Sequence, residues 1–306
     1  MPPAVPSRPA SEAALEPLAL LLVVVSGFIH AGWNFWVKGS GDPLAAVWCA
    51  LAAALVLYLP LFIVRFPGMD SLQAGAPFIL ATGVIHAFYF LTLARAYQTG
   101  DLSTVYPLAR GSAPLLTAVF AGIFLGERIS PAGGAGILLI VSGAAAVHAF
   151  PLWAGPQAPA QAGRGGAIRW ALATGLATSV YSVVDKAGVT RVSPEAYIYL
   201  MVLISVLFLA PWALSGGRGR SLRALAGEPG AWLWIAVGGL CTMGSYLLVL
   251  FAMRMSKVSY VVPAREVSVV LGAALGVFVL KEGGARRKMG GAALVAAGLA
   301  LLAMAR

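Results

Sequence analysis

Long apolar stretches alternate with short polar segments along the whole chain. Most stretches are close to the length of about 20 residues that a helix needs to cross the hydrocarbon core of a membrane. Several begin with a capping or acidic residue followed by proline, an arrangement typical of a first helical turn, at Asp42-Pro43, Ser130-Pro131, Ser193-Pro194 and Glu228-Pro229. The pattern predicts ten helical spans, at about residues 18–37, 44–64, 76–98, 102–125, 131–149, 167–187, 195–213, 231–253, 258–280 and 286–305.

Composition identifies the solvent of these helices as lipid. Hydrophobic residues make up 60% of the chain and charged residues only 10%, whereas soluble domains carry about 25% charged residues. We therefore predict an all-α integral membrane protein. The net charge of +10 suits loops that face anionic lipid headgroups. The sequence has no soluble basic face with aromatic platforms, so a nucleic-acid partner is not expected.

Two similar phrases indicate an internal duplication. Residues 103–110 read S-T-V-Y-P-L-A-R and residues 259–265 read S-Y-V-V-P-A-R. An offset of 155 residues aligns Arg110 with Arg265 and Glu127 with Glu282, and the two glutamates then close matching spans. A connector at 150–166, rich in Gly, Pro, Ala and Gln, divides a first repeat (18–149) from a second (167–306), after an N-terminal tail (1–17) predicted to be disordered. Five spans reverse the direction of the chain, so the second repeat is predicted to enter the membrane inverted.

The duplicated phrases each place an arginine within an apolar span. Arg110 and Arg265 both lie about seven residues inside their spans, where a charge is costly unless it has a function or a partner. A guanidinium presents a rigid fork of donors that suits carboxylate or phosphate. This favours an anion-binding or gating role; a structural ion pair and snorkelling to the surface are the alternatives. Glu266 could face Arg110 across the repeat axis, or serve as a proton-coupling site.

Other polar residues extend the candidate substrate site. His30, Trp33 and Asn34 share one face of span one, and His86 and Tyr89 share one face of span three. The histidines could equally be hydrogen-bonded core residues, and Trp33 could be an interfacial aromatic.

Tyr106, beside Pro107, is a further candidate contact for the substrate. Several other features indicate local structure. Prolines inside spans four and nine are expected to kink or open them, at Pro107, Pro114 and Pro263. Asp185-Lys186 reads as a helix-end pair at the membrane surface. The GxxxG pairs Gly122/Gly126 and Gly272/Gly276 read as packing faces.

Catalytic and cofactor motifs are missing from the sequence. It contains no G-x-S-x-G, H-E-x-x-H or Walker loop. The three histidines and two cysteines form no metal-ligand cluster. We therefore expect no enzyme activity, no metal and no cofactor, and any transport should be passive or ion-coupled.

The chain resembles the EamA branch of the drug/metabolite transporter superfamily. The resemblance rests on H-A-G-W-N-F-W-V-K at 30–38, Y-P-L-A-R-G-S-A-P at 106–114, F-L-G-E-R-I-S-P at 124–131 and V-L-K-E at 279–282. It implies ten spans in two inverted five-helix repeats, a central cavity, and export of a small metabolite across the bacterial inner membrane. The second copy departs from the first by lacking an arginine after its glutamate. The phrase Y-P-L-A-R-G is also similar to members found with phosphonate utilisation.

The sequence thus predicts a secondary transporter that exports a small polar metabolite with an anionic group, amino-acid-like or phosphonate-like. Two alternatives remain open. A multidrug exporter of hydrophobic cations would need an unpaired carboxylate and aromatic walls. A non-transporting membrane assembly protein would need a soluble interaction domain or a catalytic constellation. The positive-inside rule does not decide the orientation, because basic residues divide almost evenly between the two predicted sides.

Overall fold

The computed structural model describes residues 15–39, 42–99, 102–148, 164–215, 230–274 and 284–305, and the single positions 217, 219, 222, 227, 277 and 278. It covers only the backbone of residues 31–39, 97, 99, 102–107, 110, 148, 164–165 and 272–273. All regular secondary structure within the described ranges is helical. The helices are α1 (Pro17–Gly39), α2 (Pro43–Val64), α3 (Met69–Thr99), α4 (Leu102–Leu125), α5 (Pro131–His148), α6 (Arg164–Gly188), α7 (Pro194–Leu214), α8 (Ala231–Met255), α9 (Val258–Ala264), α10 (Val267–Ala274) and α11 (Ala285–Met304).

These helices coincide with the predicted spans. Helices α1 to α8 correspond to the first eight spans, α9 and α10 together form the ninth, and α11 forms the tenth. Within the described residues, six helices are long and apolar enough to cross a membrane, namely α2, most of α3, most of α6, α7, α8 and α11. Shorter apolar segments lie in α1, α4 and α5.

Proline and its preceding residue set several helix starts as the sequence predicts. Helices α2, α5 and α7 begin at Pro43, Pro131 and Pro194. Before α2, the Asp42 carboxylate accepts a hydrogen bond from the Ala45 N–H at 3.2 Å. Before α5, the Ser130 hydroxyl accepts one from the Gly133 N–H at the same distance. The fourth predicted start, Glu228-Pro229, lies outside the described residues.

The ninth span is not one helix, in contrast to the sequence prediction. Helix α9 ends at Ala264, a turn follows at Arg265 and Glu266, and α10 begins at Val267. Pro263 lacks an N–H, and the next backbone bonds tighten to three-residue spacing, with the Glu266 N–H donating to the Pro263 carbonyl at 2.9 Å. Helix α4, by contrast, runs without a break from Leu102 to Leu125, through both of its prolines.

Hydrogen bonds between helix ends define the two sides of the bundle. On the first side, the Glu16 N–H donates to the Ser256 hydroxyl at 3.0 Å, and the Val258 N–H donates to the Glu127 carboxylate at 2.9 Å. On the opposite side, the Arg287 guanidinium donates to the Ala146 carbonyl at 2.8 Å. The ends of α4 and α8 therefore share one side, and the end of α5 and the start of α11 share the other. Leu15 is also buried, so packed structure begins before the predicted end of the N-terminal tail.

Helix contacts run mainly between the two halves of the chain. Helix α6 packs against α3 and α4, α8 packs against α1 and α2, and α7 packs against α2 and α3. The most extensive contact joins α5 to α11. Glycines form this α5–α11 seam: a Cβ on Gly143 would lie 2.5 Å from the Gly291 carbonyl oxygen, and one on Gly298 would lie 2.6 Å from the Gly136 carbonyl oxygen.

The close glycine packing is therefore not at the first GxxxG pair, Gly122/Gly126, where the sequence predicts a packing face. A Cβ on Gly122 would make only an ordinary contact, and Gly126 ends α4 in the left-handed region with φ of 66° and open space around it. The second pair stays a prediction, because Gly276 and the packing of Gly272 lie outside the described part of the structure.

Large apolar side chains cover the outer surface of the bundle. Val64, Phe124 and Trp232 are 80%, 70% and 68% exposed, and exposed leucines, valines and phenylalanines follow the outer faces of the other long helices. A water-soluble protein rarely exposes so much contiguous apolar surface, whereas lipid accepts it. The protein is an integral membrane protein.

Candidate functional site

A cavity lies near the middle of the bundle, enclosed by side chains from both halves. Its walls come from α1, α2, α3, α6, α7, α8 and the α9–α10 turn. The volume open to the centres of water molecules is about 50 Å³, which is several times what one water needs. The lining residues are His30, Leu51, His86, Tyr89, Phe90, Tyr181, Ile198, Met201, Val202, Ser205, Thr242, Met243, Ser245, Tyr246 and Arg265.

One wall of the cavity is an aromatic cluster. The His86 ring stacks on Tyr181 with 3.9 Å between ring centroids, and Tyr246 meets both rings edge-on. The Nδ1 atom of His86 lies 3.0 Å from both the carbonyl and the hydroxyl oxygen of Thr82, one turn earlier in α3. This fixes the orientation of the imidazole, and Tyr89 extends the cluster along the same helix face.

Arg265 brings a positive charge to this wall. It occupies the turn between α9 and α10, where the interrupted helix aims its side chain into the cavity rather than along a continuous helix surface. Its guanidinium carbon lies 5.5 Å from the centroid of the Tyr246 ring, within range of a cation–π contact. No carboxylate of the described residues lies within ion-pair distance of Arg265.

A buried carboxylate lies directly behind the aromatic wall. Asp185 is completely buried. The Tyr197 hydroxyl donates to its Oδ1 at 2.9 Å, and the Tyr246 hydroxyl donates to its Oδ2. Tyr246 thus separates Asp185 from the cavity: its ring forms the wall and its hydroxyl binds the carboxylate.

This arrangement overturns the interpretation of Asp185-Lys186 as a surface pair. The Lys186 side chain is also buried, and its ammonium donates to the carbonyls of Met253 and Ser256 at the end of α8. Adjacent residues on a helix point about 100° apart, so the two charges serve different partners. The end of α6 is inside the bundle because α3, α4 and α8 surround it.

A polar network closes the bundle between the cavity and its first side. The Glu127 carboxylate accepts hydrogen bonds from the Ser259 N–H at 3.0 Å and the Ser259 hydroxyl at 2.6 Å, in addition to that from Val258. The Lys257 ammonium donates to the Arg128 carbonyl at 2.9 Å. These residues lie about 10 Å beyond Tyr181, Tyr246 and Arg265, counted along the helices, and they join the α4–α5 loop of one half to α9 of the other.

The predicted site residues divide into three groups. His30, His86, Tyr89 and Arg265 all line the cavity. Glu266 is buried but does not line it, and Pro114 is buried within α4. The remaining predictions concern side chains outside the described part of the structure, namely Trp33, Asn34, Tyr106, Pro107 and Arg110.

Sequence reasoning missed Asp185, Tyr181, Tyr197 and Tyr246. Tyr181 and Asp185 are four residues apart in an apolar span, so they share a helix face. Tyr197 and Tyr246 carried no such signal, because a lone tyrosine in an apolar helix also fits an interfacial position.

The lining of the cavity combines polar and apolar side chains. It includes one guanidinium, two imidazoles and several hydroxyls, together with the apolar side chains of Leu51, Phe90, Ile198, Met201, Val202 and Met243. Within the described residues, no group of three His, Cys, Asp or Glu side chains could hold a metal ion.

Comparison with known proteins agrees with this geometry. The sequence profile of the EamA-like transporter family matches residues 17–148 and again residues 166–304. An uncharacterized transporter in the cobO 3′ region of Sinorhizobium sp is 27% identical over 135 residues, which cover 44% of this chain and 94% of that protein. The pseudopaline exporter CntI of Pseudomonas aeruginosa is 30% identical over 129 residues, which cover 41% of this chain and 44% of that exporter.

A protein of known crystal structure shares the overall fold. It superposes with a TM-score of 0.74 over 94% of this chain and 96% of that protein, at 18% sequence identity. Because the two family matches together cover most of the sequence, the chain belongs to the EamA-like transporter family. It is a membrane transporter.

Proposed function

We propose that this transporter exports a small polar metabolite with an anionic group, amino-acid-like or phosphonate-like, across a bacterial inner membrane. The substrate binds in the central cavity, with its anionic group on Arg265. The two halves of the chain act as inverted five-helix repeats that expose the cavity to each side in turn.

The observation that carries this proposal is the position of Arg265. A charged guanidinium at mid-membrane depth costs free energy, so such a residue is expected to have a partner or a function. The turn between α9 and α10 aims this one at a cavity instead of at the membrane surface. A guanidinium binds carboxylate and phosphate through paired hydrogen bonds, so the anionic group of a substrate is a suitable partner.

The helix arrangement supports alternating access between inverted repeats. The family profile matches twice, once in each half. The packing is reciprocal: α6 contacts α3 as α8 contacts α1, and α7 contacts α3 as α2 contacts α8. The closing network at the first side joins the halves through hydrogen bonds that can break and re-form without unfolding a helix. This is the arrangement that rocking of one repeat against the other requires.

One observation favours the alternative of a multidrug exporter, and another opposes it. The aromatic cluster and Asp185 resemble a site for hydrophobic cations, since cations bind well over aromatic faces. However, Tyr246 and Tyr197 already occupy the Asp185 oxygens, and the charge that lines the cavity itself is that of Arg265. A zwitterion, with its ammonium near the tyrosines and its anionic group on Arg265, fits both features better than a lone cation does.

Counterflow in proteoliposomes tests the proposal. Vesicles preloaded with one unlabelled amino acid, sugar phosphate or phosphonate should accumulate the labelled form of the true substrate. Arg265→Ala should reduce this flux by about tenfold or more, the expected effect of removing a buried charge-assisted hydrogen bond. Arg265→Lys should retain part of it. Arg254→Ala, which alters an exposed arginine in the last turn of α8, is the matched control and should not change flux.

Each competing function predicts a different result. A cation exporter would transport quaternary ammonium compounds, and Arg265→Ala would leave this flux intact or increase it. A non-transporting assembly protein would show no counterflow with any compound of the panel. Normal anion flux in Arg265→Ala would refute the binding role of Arg265.

A further inference from the structure

We propose that Asp185 binds and releases a proton during the transport cycle, and that Tyr246 links it to the cavity. Exchange of this proton during a transport cycle rests on the proposed transport function. The proton-binding site itself rests on the geometry around Asp185, and it would identify the coupling ion as a proton.

The surroundings of Asp185 suit both forms of its carboxyl group. The side chain is completely buried, and no basic group of the described residues forms an ion pair with it. Its partners are the hydroxyl groups of Tyr197 and Tyr246. A hydroxyl can donate to a carboxylate and can also accept from a carboxylic acid. An arginine or lysine partner would instead hold the group permanently ionised.

Charged and titratable side chains of the described residues reach the surroundings of Asp185 from several helices. Helix α3 contributes His86, α6 itself contributes Tyr181 and Lys186, α7 contributes Tyr197, α8 contributes Tyr246, and the α9–α10 turn contributes Arg265. Helix α4 also packs against α6, and its described side chains include no titratable group. Lys186 is directed to the carbonyls at the end of α8 instead. Arg265 lies over the ring of Tyr246, whose hydroxyl donates to Asp185.

This arrangement couples the proton to the substrate. An ammonium group of the substrate near Tyr246 would favour ionised Asp185 and so release of its proton, which is the exchange of proton for substrate that export driven by an inward proton gradient requires. An anionic group bound to Arg265 would act in the opposite direction. Binding of substrate and proton must affect each other equally. The sign of the proton exchange therefore reports which end of the substrate approaches Tyr246.

Tyr246 and Tyr197 differ in a way that gives the proposal a matched pair of variants. Both hydroxyls donate to Asp185, but only Tyr246 also lines the cavity. Tyr197 does not line the cavity, and its hydroxyl lies 3.4 Å from the Phe78 carbonyl oxygen. A proton that moves between Asp185 and the cavity would pass the Tyr246 hydroxyl and not that of Tyr197.

Infrared difference spectroscopy tests the proton site without a substrate. Protein reconstituted in lipid is titrated from mildly alkaline to mildly acidic pH, and the carbonyl stretch of a protonated carboxylic acid is followed. We expect a titrating band that is absent in Asp185→Asn and present in Asp70→Asn, which alters an exposed carboxylate. Tyr246→Phe and Tyr197→Phe should each shift the band, since each removes one hydrogen bond to the carboxyl group. These variants keep the test valid should Asp185→Asn fail to fold.

Flux measurements then test the coupling. An imposed pH gradient should accelerate transport by the wild type and by Tyr197→Phe, less so in Tyr246→Phe, and not in Asp185→Asn. A band unaffected by Asp185→Asn, or no titrating band at all, would overturn the proton site even when Arg265-dependent flux is found. A titrating Asp185 band without flux of any compound would refute the proposed transport function and leave the proton site standing.

Discussion

At the scale of single residues, Asp185 and Lys186 show what a sequence leaves undecided. Two adjacent opposite charges after an apolar run fit a helix end at the membrane surface. Their actual roles depend on which helices surround α6: the carboxylate meets the hydroxyls of α7 and α8, and the ammonium meets the carbonyls that end α8. Arg265 was different, because its depth inside a span already made it costly. Sequence therefore located the charge but not the partners.

Lys186 should contribute directly to stability. Its ammonium donates to two buried carbonyls that have lost their helical partners at the end of α8. Lys186→Met keeps the length and removes the charge, so we expect a loss of about 1–3 kcal/mol, measured as a lower melting temperature in detergent. Arg254→Met, on the exposed face of the same helix end, serves as the control. Equal melting temperatures for the two variants would show that Lys186 is dispensable for folding.

At the scale of elements, the apolar pattern was sufficient for the positions of the spans. Ten apolar runs became ten helical spans because backbone groups in lipid must be paired within the chain, which leaves the helix as the available form. The expectation that a proline inside a span opens the helix was met at only one of the two spans. Pro263 precedes an interruption, whereas α4 continues through Pro107 and Pro114. Whether a missing N–H opens a helix depends on neighbouring groups, and these are set by tertiary packing.

The seam between α5 and α11 should tolerate no added carbon atom. A Cβ on Gly143 would lie 2.5 Å from the Gly291 carbonyl oxygen and 2.8 Å from the Val295 nitrogen, both backbone atoms. Gly143→Ala should therefore force the helices apart and destabilise the protein by about 1–3 kcal/mol. Gly290→Ala is the matched control, since nothing lies within 4 Å of its Cβ position. A melting temperature for Gly143→Ala at or above that of the control would contradict the seam.

The interruption of the ninth span should matter for transport more than for folding. Pro263→Ala restores a backbone donor, so α9 and α10 should join more smoothly and aim Arg265 away from the cavity. We expect counterflow to fall several-fold while the melting temperature stays constant or rises. Pro211→Ala, inside the continuous helix α7, should change neither. Flux in Pro263→Ala equal to that of the wild type would show that the turn is incidental to the mechanism.

At the scale of the whole molecule, the duplication could be predicted from matching phrases, but the orientation of the protein could not. The inversion of the second half is a prediction from the odd number of spans counted in each half. Which side faces the cytoplasm depends on loop charge, and basic residues occur on both sides. The cavity could be placed between the halves in general terms. Part of its lining was also predicted, namely His30, His86, Tyr89 and Arg265. Tyr181 and Tyr246 could not be predicted, because their positions depend on how α3, α6 and α8 pack against one another.

Inversion predicts that equivalent loops of the two halves lie on opposite sides of the membrane. Arg128 follows α4 on the first side, and Arg286 begins α11, next to the residue that binds the end of α5 on the opposite side. Both side chains are exposed. In a background without Cys49 and Cys241, Arg128→Cys and Arg286→Cys should react with an impermeant thiol reagent from different sides of a sealed vesicle. Permeabilised vesicles provide the control, because both cysteines should then react. These loops follow α4 and the ninth span, which are matching elements of the two halves. Labelling of both cysteines from one side would therefore show that the two halves are parallel. Alternating access could then no longer be derived from an inverted symmetry.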